Sequence, residues 1–374
     1  MIRLLKQKRK DTILPVGFLA SGIHCGIKKS KKDLGLILCT AGGCARGFFT
    51  VNANPSYSVT FSKRNIKNKI KAVLVNSGNA NCFTGIDGLF KTGRLVDSLA
   101  KILRISKKSI LFSSTGLIGK RLPVEKIKRS FPLLIAKLGK DIKEFSSSIL
   151  TTDTYKKIVS REFMLNQGKV KIVGVAKGAG MIYPNMATML GFILTDVNIE
   201  KYKHSHFFKE AIERSFNSIS VDGCTSTNDT VFILSSNKFA LKDSKQRDKF
   251  FREFNHICLE LAKMIVQDGE GTTKFVKLKI KGAKTHIEAR RAGLCIANSL
   301  LLKCALYGAD PNWGRIIAAL GQEGISVKSN IGIKSSSLKR KVIGIEINLK
   351  RGNSSWSVYT SDLTPEYVKI NSDG

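Results

Sequence analysis

A threonine set between a polar turn and an apolar strand is a place where a chain can do chemistry. In "AKGAGMIYPNMATMLGFILTD", residues 176–196, Thr188 separates a Gly/Pro/Asn-rich turn from the strand-like run "TMLGFIL". A threonine hydroxyl is a poor nucleophile until a base takes its proton. At a chain N-terminus the base comes with the residue, because the α-amine has an ordinary pKa of about 7.7–8.0. Internal Thr188 gains that amine only if the Ala187–Thr188 bond breaks. Its own hydroxyl can break it, by attack on the Ala187 carbonyl, an N→O acyl shift and hydrolysis of the resulting ester. The tight "YPN" turn just upstream is placed to strain the bond. Taken alone, the commoner reading of Thr188 is a β-branched residue opening a strand.

A threonine nucleophile has two further needs. The oxyanion of its tetrahedral intermediate requires hydrogen-bond donors. In "SSTGLIG" the Thr115 hydroxyl and the Gly116 backbone N–H can supply them. The substrate must also be held, and Lys177, close in sequence to the Thr188 turn, can pair with a carboxylate.

Other chemistries find little support. The sequence contains no GxxxxGK[ST], HExxH or GxSxG motif, and "DGEGTTK" follows a helical pattern rather than a strand, so it is no dinucleotide fingerprint. The eight cysteines form no CxxC pair, which argues against a zinc ribbon or dithiol site and for a reducing, cytoplasmic setting. His204 and His206 in "KHSH" are the one close histidine pair, and a solvated helix start explains them better than a metal. No metal or bound cofactor is expected. No apolar run reaches membrane-spanning length, and the basic N-terminus lacks a signal-peptide pattern. The formal net charge is +35, carried mostly by lysines spread along the chain. Without a nucleic-acid motif or interleaved aromatics, a lysine-favouring genome explains this better than a nucleic-acid partner.

The elements that must position these residues alternate without a strict βα rhythm. Strands are expected at 72–75, "SILFSSTGLIG", "KVKIVGVAKGAG", "TMLGFILTD", "FVKLKIKG" and "VIGIEINL", with a turn at Ser113–Gly116. The Asn/Gly loop at 76–81 is expected to offer amides to a ligand. Helices are expected over "GLFKTGRLVDSLAKIL", over "VEKIKRSFPLLIAKL" with an interruption or kink near Pro132, after an N-cap at Ser205, over 246–266, and as one long helix from about Ile287 to Tyr307. Adjacent strand candidates suggest hairpins, and the fold class is α+β with sheets covered by helices.

The segment "KGAGMIYPNMATMLGFILTD" resembles the cleavage and nucleophile segment of the ornithine acetyltransferase family (bifunctional glutamate N-acetyltransferase, ArgJ). "GFLASGIHCGIKKSKKDLGLIL", "VNSGNANCFTG", "SSTGLIGKRLPVEKI", "TTDT", "VDGCTSTNDT", "DGEGTTKFV", "ANSLLLKCALYGADPNWGRIIAALG" and "DLTPEYVKIN" resemble further family blocks, in family order, over essentially the whole chain after Pro15. The resemblance implies a layered α/β/β/α sandwich of the self-cleaving N-terminal-nucleophile (DmpA/ArgJ-like) type. It implies cleavage between Ala187 and Thr188 into an α chain, 1–187, and a β chain, 188–374. Thr188 matches the nucleophile, and Thr115 and Gly116 the oxyanion pair. Thr154, Lys177, Glu270, Asn371 and Thr188 itself match substrate-binding positions. The implied reaction carries acetyl from N2-acetylornithine to glutamate in arginine biosynthesis. Acetyl-CoA is a second donor in some members, and the implied assembly is a cytoplasmic heterotetramer of two α and two β chains. Two features depart from the pattern: a substrate contact just past the position of Gly374 is not matched, and "GCARGFFT" and its surroundings are rich in cysteine. Amidases and aminopeptidases with the same kind of self-exposed nucleophile are the alternative, and a basic nucleic-acid-binding chain is the more distant one.

Overall fold

The structure is a computed structural model and describes residues 12–183 and 189–372. The chain opens with β1 (Phe18–Ile23) and a long β2 (Leu34–Phe49), then α1 (Tyr57–Asn65), β3 (Ile70–Asn79), α2 (Ile86–Leu103) and β4 (Ile110–Leu117). Three short helices follow, α3 (Val124–Arg129), α4 (Phe131–Ala136) and α5 (Lys143–Ser148). Next come β5 (Lys157–Leu165), β6 (Gly168–Lys177), β7 (Leu190–Val197), α6 (His206–Glu213), β8 (Thr230–Phe239) and the long α7 (Ser244–Gln267). The last part is β9 (Phe275–Ala283), α8 (His286–Asn298), α9 (Leu300–Gly308), α10 (Gly314–Gln322), β10 (Gly332–Ser335), β11 (Val342–Asn348), β12 (Ser354–Ser361) and α11 (Pro365–Ser372).

Among the described residues the main sheet runs β4-β3-β2-β8-β7-β6-β5, with β1 also on β2. It is bent double by β2. Residues Leu34–Leu38 pair with β3, and Cys44–Phe49 pair with β8. At the corner Gly42 has φ +71°, and a Cβ on Gly43 would lie 1.7 Å from the Ser235 carbonyl oxygen. Only glycine fits both demands, a left-handed backbone and a backbone neighbour at that distance.

The period of two along each strand then sorts apolar residues between layers. Ile37, Val73 and Val75 face Val173, Val175, Leu190, Phe192 and Phe232 across the space between the two half-sheets. Their alternates Leu36, Ala72, Leu74 and Phe112 pack outward on α2, α3 and α4 through Leu95, Leu99, Ile127 and Phe131. On the opposite side Ile172, Ile193, Val231 and Ile233 pack on α6 and α7 through Phe208, Phe250, Phe254, Ile257 and Leu261. The result is helix, sheet, sheet, helix, the expected α+β layering. A second sheet, β10-β11-β9-β12, is covered by α8, α9 and α10 around its own core.

Two local expectations change and one is met. Thr115 and Gly116 lie within β4 rather than in a turn, because β4 continues its parallel pairing with β3 as far as Leu117. The interruption expected near Pro132 falls two residues before it: Ser130 ends α3, and Pro132 sits in the first turn of α4, where its missing N–H costs nothing. The helix expected from Ile287 to Tyr307 is two, because Ser299 leaves helical geometry and its side chain caps the Leu302 N–H at 3.3 Å. Among the described residues no helix is long and apolar enough to cross a membrane.

The contact of α7 with β6 depends on Gly174, where a Cβ would lie 2.5 Å from Ile257 Cγ2 and 2.7 Å from Leu261 Cδ1. Gly174→Val is expected to lower the unfolding free energy by about 1–3 kcal/mol through overpacking. Gly344→Val, where an added Cβ meets nothing within 4 Å, serves as the control in the same urea titration. Equal midpoints for the two variants would refute this account of the α7 contact.

Candidate active site

The stretch Lys177–Gly180, at the end of β6, is the hub of the candidate site. The Lys177 side chain runs inward and is fully buried. Its ammonium donates to Thr115 Oγ1 at 3.4 Å. Burial pushes the Lys177 pKa down, and nearby Lys157 adds to this. The charges of Asp153, Asp229 and Glu270 work in the opposite sense. Lys28 lies close enough for its charge and that of Lys177 to oppose each other. Burial first, and Lys177 among the charges, bring Lys28 down to about 8.

Thr115 is positioned by the parallel pairing of β3 and β4, which sets Ser77 beside Thr115 and Gly78 beside Gly116. At Gly116 the facing strand comes too close for a side chain. A Cβ on Gly116 would lie 2.4 Å from the Gly78 carbonyl carbon and 2.5 Å from the Asn79 nitrogen, and Gly116 has φ +133°. The Asn/Gly loop beside it does not offer its amides outward. Asn76 Nδ2 donates to Asn79 O at 2.9 Å, Asn79 Nδ2 to Lys120 O at 3.0 Å, and Asn81 Nδ2 to Thr92 Oγ1 at 2.7 Å. All three are buried, so the amides hold the loop that holds Gly116.

Behind Lys177 sits a buried ion cluster that sequence reasoning did not identify. Lys157 Nζ donates to Asp153 Oδ1 at 2.7 Å and also to Asp268. Asp153 Oδ1 accepts the Gly178 N–H at 2.7 Å, which fixes the backbone next to Lys177. Burial pushes the Asp153 carboxyl up. The charges of Lys157 and Lys177 and the Gly178 and Lys157 hydrogen bonds outweigh that and hold it well below the ordinary carboxylate range. Thr154 joins the cluster: its N–H reaches Asp268 Oδ2 at 3.0 Å, and its hydroxyl donates to Asp268 Oδ1.

Glu270 closes another side. Its N–H donates to Ala179 O at 3.1 Å, and a Cβ on Gly180 would lie 2.2 Å from Glu270 Oε2. Asn371 Nδ2 donates to the same Oε2 at 3.0 Å, so α11 is tied to this corner. Thr115, Lys177, Thr154, Glu270 and Asn371, far apart in sequence, therefore meet around residues 177–180, and Gly116 adjoins them. Ala187 and Thr188 lie outside the described residues. The flanks of that segment are described, and one loop holds both. Asp222 accepts the Met181 N–H at 2.6 Å and the Ile182 N–H at 2.9 Å, and Asp229 accepts the Met189 N–H at 2.9 Å. The spacing of "VDGCTSTND" gives no hint of this clamp, since the two strand ends it joins are brought together only by the sheet. Among the described residues no group of three or more His, Cys, Asp or Glu side chains is arranged to hold a metal.

Comparison with known proteins matches residues 19–373 to the ArgJ family. The arginine biosynthesis bifunctional protein ArgJ of Caldanaerobacter subterraneus subsp. tengcongensis is 37% identical over 96% of this chain and 96% of its own. The glutamate N-acetyltransferase of Methanocaldococcus jannaschii is 38% identical over 96% of this chain and 97% of its own. A crystal structure of the arginine biosynthesis bifunctional protein ArgJ from Bacillus halodurans is 35% identical, with a TM-score of 0.43, covering 46% of this chain and 92% of that one. The chain belongs to the ArgJ family and is an acyltransferase of arginine biosynthesis.

The ion cluster carries a stability prediction. Lys157→Met leaves two buried carboxylates without their cation and is expected to cost about 3–5 kcal/mol. Asp153 titrates in the folded chain below the ~3.9 of an unfolded aspartate. Its stabilisation is therefore complete above about pH 4 and is lost as the pH falls toward the depressed value. Without Lys157, burial gains weight in setting the Asp153 carboxyl, and acid unfolding should begin at higher pH. Urea titrations of both proteins between pH 3 and 7 check this, and coincident acid limbs would contradict the cluster's role.

Proposed function

We propose that this chain transfers the acetyl group of N2-acetylornithine to glutamate through an acetyl ester on Thr188, after cutting itself between Ala187 and Thr188. The observation that carries the reading is the buried contact of Lys177 Nζ with Thr115 Oγ1 at 3.4 Å, between the strand that leads toward Thr188 and the strand that contains Thr115 and Gly116. The direction of that bond matters. The ammonium donates, so the Thr115 hydroxyl keeps its own proton for an oxyanion. The names of the full-length relatives, glutamate N-acetyltransferase and arginine biosynthesis bifunctional protein, support the same substrates.

In this reading Thr188 Oγ attacks the acetyl carbonyl and its α-amine takes the proton. The Thr115 hydroxyl and the Gly116 N–H receive the oxyanion. Ornithine leaves, glutamate enters, and its amine takes the acetyl group from the threonine ester. Lys177 is the buried cation suited to the α-carboxylate that both amino acids share. Glu270, held by Asn371, is the carboxylate suited to the cationic end of ornithine, and Thr154 lines the same enclosure. Acetyl-CoA is a second donor that would load the same threonine. No bound cofactor has a part in these steps, and the setting is cytoplasmic.

The two chains, 1–187 and 188–374, would remain together, because the cut falls between neighbouring strands. Lys177 and Leu190 are paired across β6 and β7, and both cores of the main sheet draw residues from before and after the cut. Two such pairs form the proposed heterotetramer.

Thr188→Ala is expected to stay one chain by intact denatured mass and to lose acetyl transfer, while wild type gives two masses split after Ala187. An uncut variant with full activity would sink the mechanism. Thr115→Val, assayed as cut enzyme, should lower kcat by about 10²–10³-fold. Acetate released at the same rate with and without glutamate would indicate instead an amidase of the same nucleophile class.

A further inference from the structure

The two aspartates that flank residues 184–188 are not equivalent. Asp222 uses both oxygens, on Met181, Ile182 and also the Cys224 N–H at 3.1 Å. Asp229 uses Oδ1 on the Met189 N–H at 2.9 Å, whereas its Oδ2 has no hydrogen-bond partner among the described residues, although the side chain is fully buried. An unpaired carboxylate oxygen in a protein interior is costly. Burial accordingly pushes the Asp229 carboxyl well above its ordinary range, and the Met189 N–H, the charge of Lys177 and Ser226 counter this only in part. Its position is held firmly. Neighbouring Asn228 donates to Ala80 O and Ser114 O, both at 2.7 Å, which ties this end of β8 to the Thr115 strand.

Covalent geometry indicates what the free oxygen can meet. A residue's nitrogen lies at most about 3.6 Å from the nitrogen of the next residue. The Met189 nitrogen is already bound to Asp229. The carboxylate therefore holds the backbone N–H of the residue that directly follows Thr188 in the sequence.

We propose that Asp229 is the positioning residue and counter-ion of the α-amine that cleavage exposes on Thr188. This rests on the reading of Thr188 as the nucleophile. As the bond from Oγ to the acetyl carbon forms, the Oγ proton passes to the α-amine, which becomes an ammonium. As the carbon–nitrogen bond to ornithine breaks, that proton passes to the leaving nitrogen and the amine is free again. The charge that appears and disappears on the amine needs a fixed partner in a buried site, as the aspartate of a Ser-His-Asp triad provides for its imidazolium. The other charged groups around the enclosure are Lys177, Lys157, Lys28, Asp153, Asp268 and Glu270. Lys177 and burial both disfavour an ammonium there, and Asp229 offsets them.

Asp229→Asn keeps the shape and the oxygen that holds Met189 but loses the charge. Asp229→Glu keeps the charge and adds one methylene. Intact mass of wild type comes first. An uncut wild-type chain defeats the nucleophile reading and this proposal with it, whereas a cut and active one leaves only Asp229 at stake. The cut Asn variant should lose about tenfold or more in kcat with KM for the acetyl donor within about twofold. Its acid limb of kcat should move to lower pH, because a neighbouring carboxylate raises the pKa of an amine and its removal lowers it. The Glu variant should be the more active of the two. An Asn variant with wild-type kcat and an unmoved acid limb, or one more active than the Glu variant, overturns the proposal. If a variant does not fold or is not cut, wild type decides through reductive methylation of the Thr188 amine against pH, in the folded and the urea-unfolded enzyme. A midpoint higher in the folded enzyme supports the counter-ion, and one equal or lower overturns it.

Discussion

A lysine ammonium buried inside a protein is the constraint to which the rest of this site answers. Lys177 has one hydroxyl at 3.4 Å and no carboxylate at ion-pair distance among the described residues. Desolvating such a charge is expensive, and the group is kept in place by charges spread around it rather than by one partner. Asp153 takes the N–H of the very next residue and pairs with Lys157, which also pairs with Asp268. Of the two lysines, Lys177 is therefore the one with no carboxylate directly against its ammonium among the described residues. In the proposed reaction this leaves it open to an amino-acid carboxylate, which would meet a cation already stripped of water.

The second constraint is steric and comes from glycine. The β3 backbone at Gly78 and Asn79 comes so close to Gly116 of β4 that position 116 has no room for a side chain. This approach sets the Thr115 hydroxyl against Lys177, and the three asparagines of the adjoining loop are consumed in maintaining it. The same economy governs the large sheet. Its bend at Gly42 and Gly43 folds β3 and β4 over β6, β7 and β8, so that the ends of strands from both halves reach one place.

Much of this was legible along the chain. The near-continuous apolar runs in "KIVGVAK" and "GFIL" mark strands buried on both faces, and the helix over 246–266 is readable from its period. Thr115 and Lys177 were singled out by their chemistry as well as by resemblance, Thr154, Glu270 and Asn371 by resemblance alone, and the fold brings them around one short segment. Physical reading of isolated residues did less well where the partner is distant in sequence. Lys157 reads as one more lysine in a lysine-rich chain, and its burial between Asp153 and Asp268 depends on a contact across 111 residues. Asp222 and Asp229 read as loop residues, because their carboxylates meet the backbone of another segment. Ser299 was a local signal overlooked, an N-cap residue inside an apolar period. The cysteines around Cys39 and Cys44 are buried in strand β2, where burial pushes both thiols up, to about 11 and about 12, and they pack as small apolar residues rather than reagents.

Placing a proposed break between β6 and β7 also has an energetic logic. The two strands are hydrogen-bonded neighbours, and Val173 and Val175 before the break share a core with Leu190 and Phe192 after it. As one chain, the connection keeps the closure entropy for pairing β6 with β7 low, because few residues separate them. Once the sheet and its two cores have formed, the connection contributes little further, and severing it leaves the strand ladder and the buried surface intact. The aspartates at 222 and 229 hold the backbone on either side, so the two new ends would stay where the intact chain had put them. A nucleophile made in this way would be held by the folded sheet before it exists as a terminus. The geometry of Lys177, Thr115 and Asp229 therefore need not be assembled afterwards from two separate pieces.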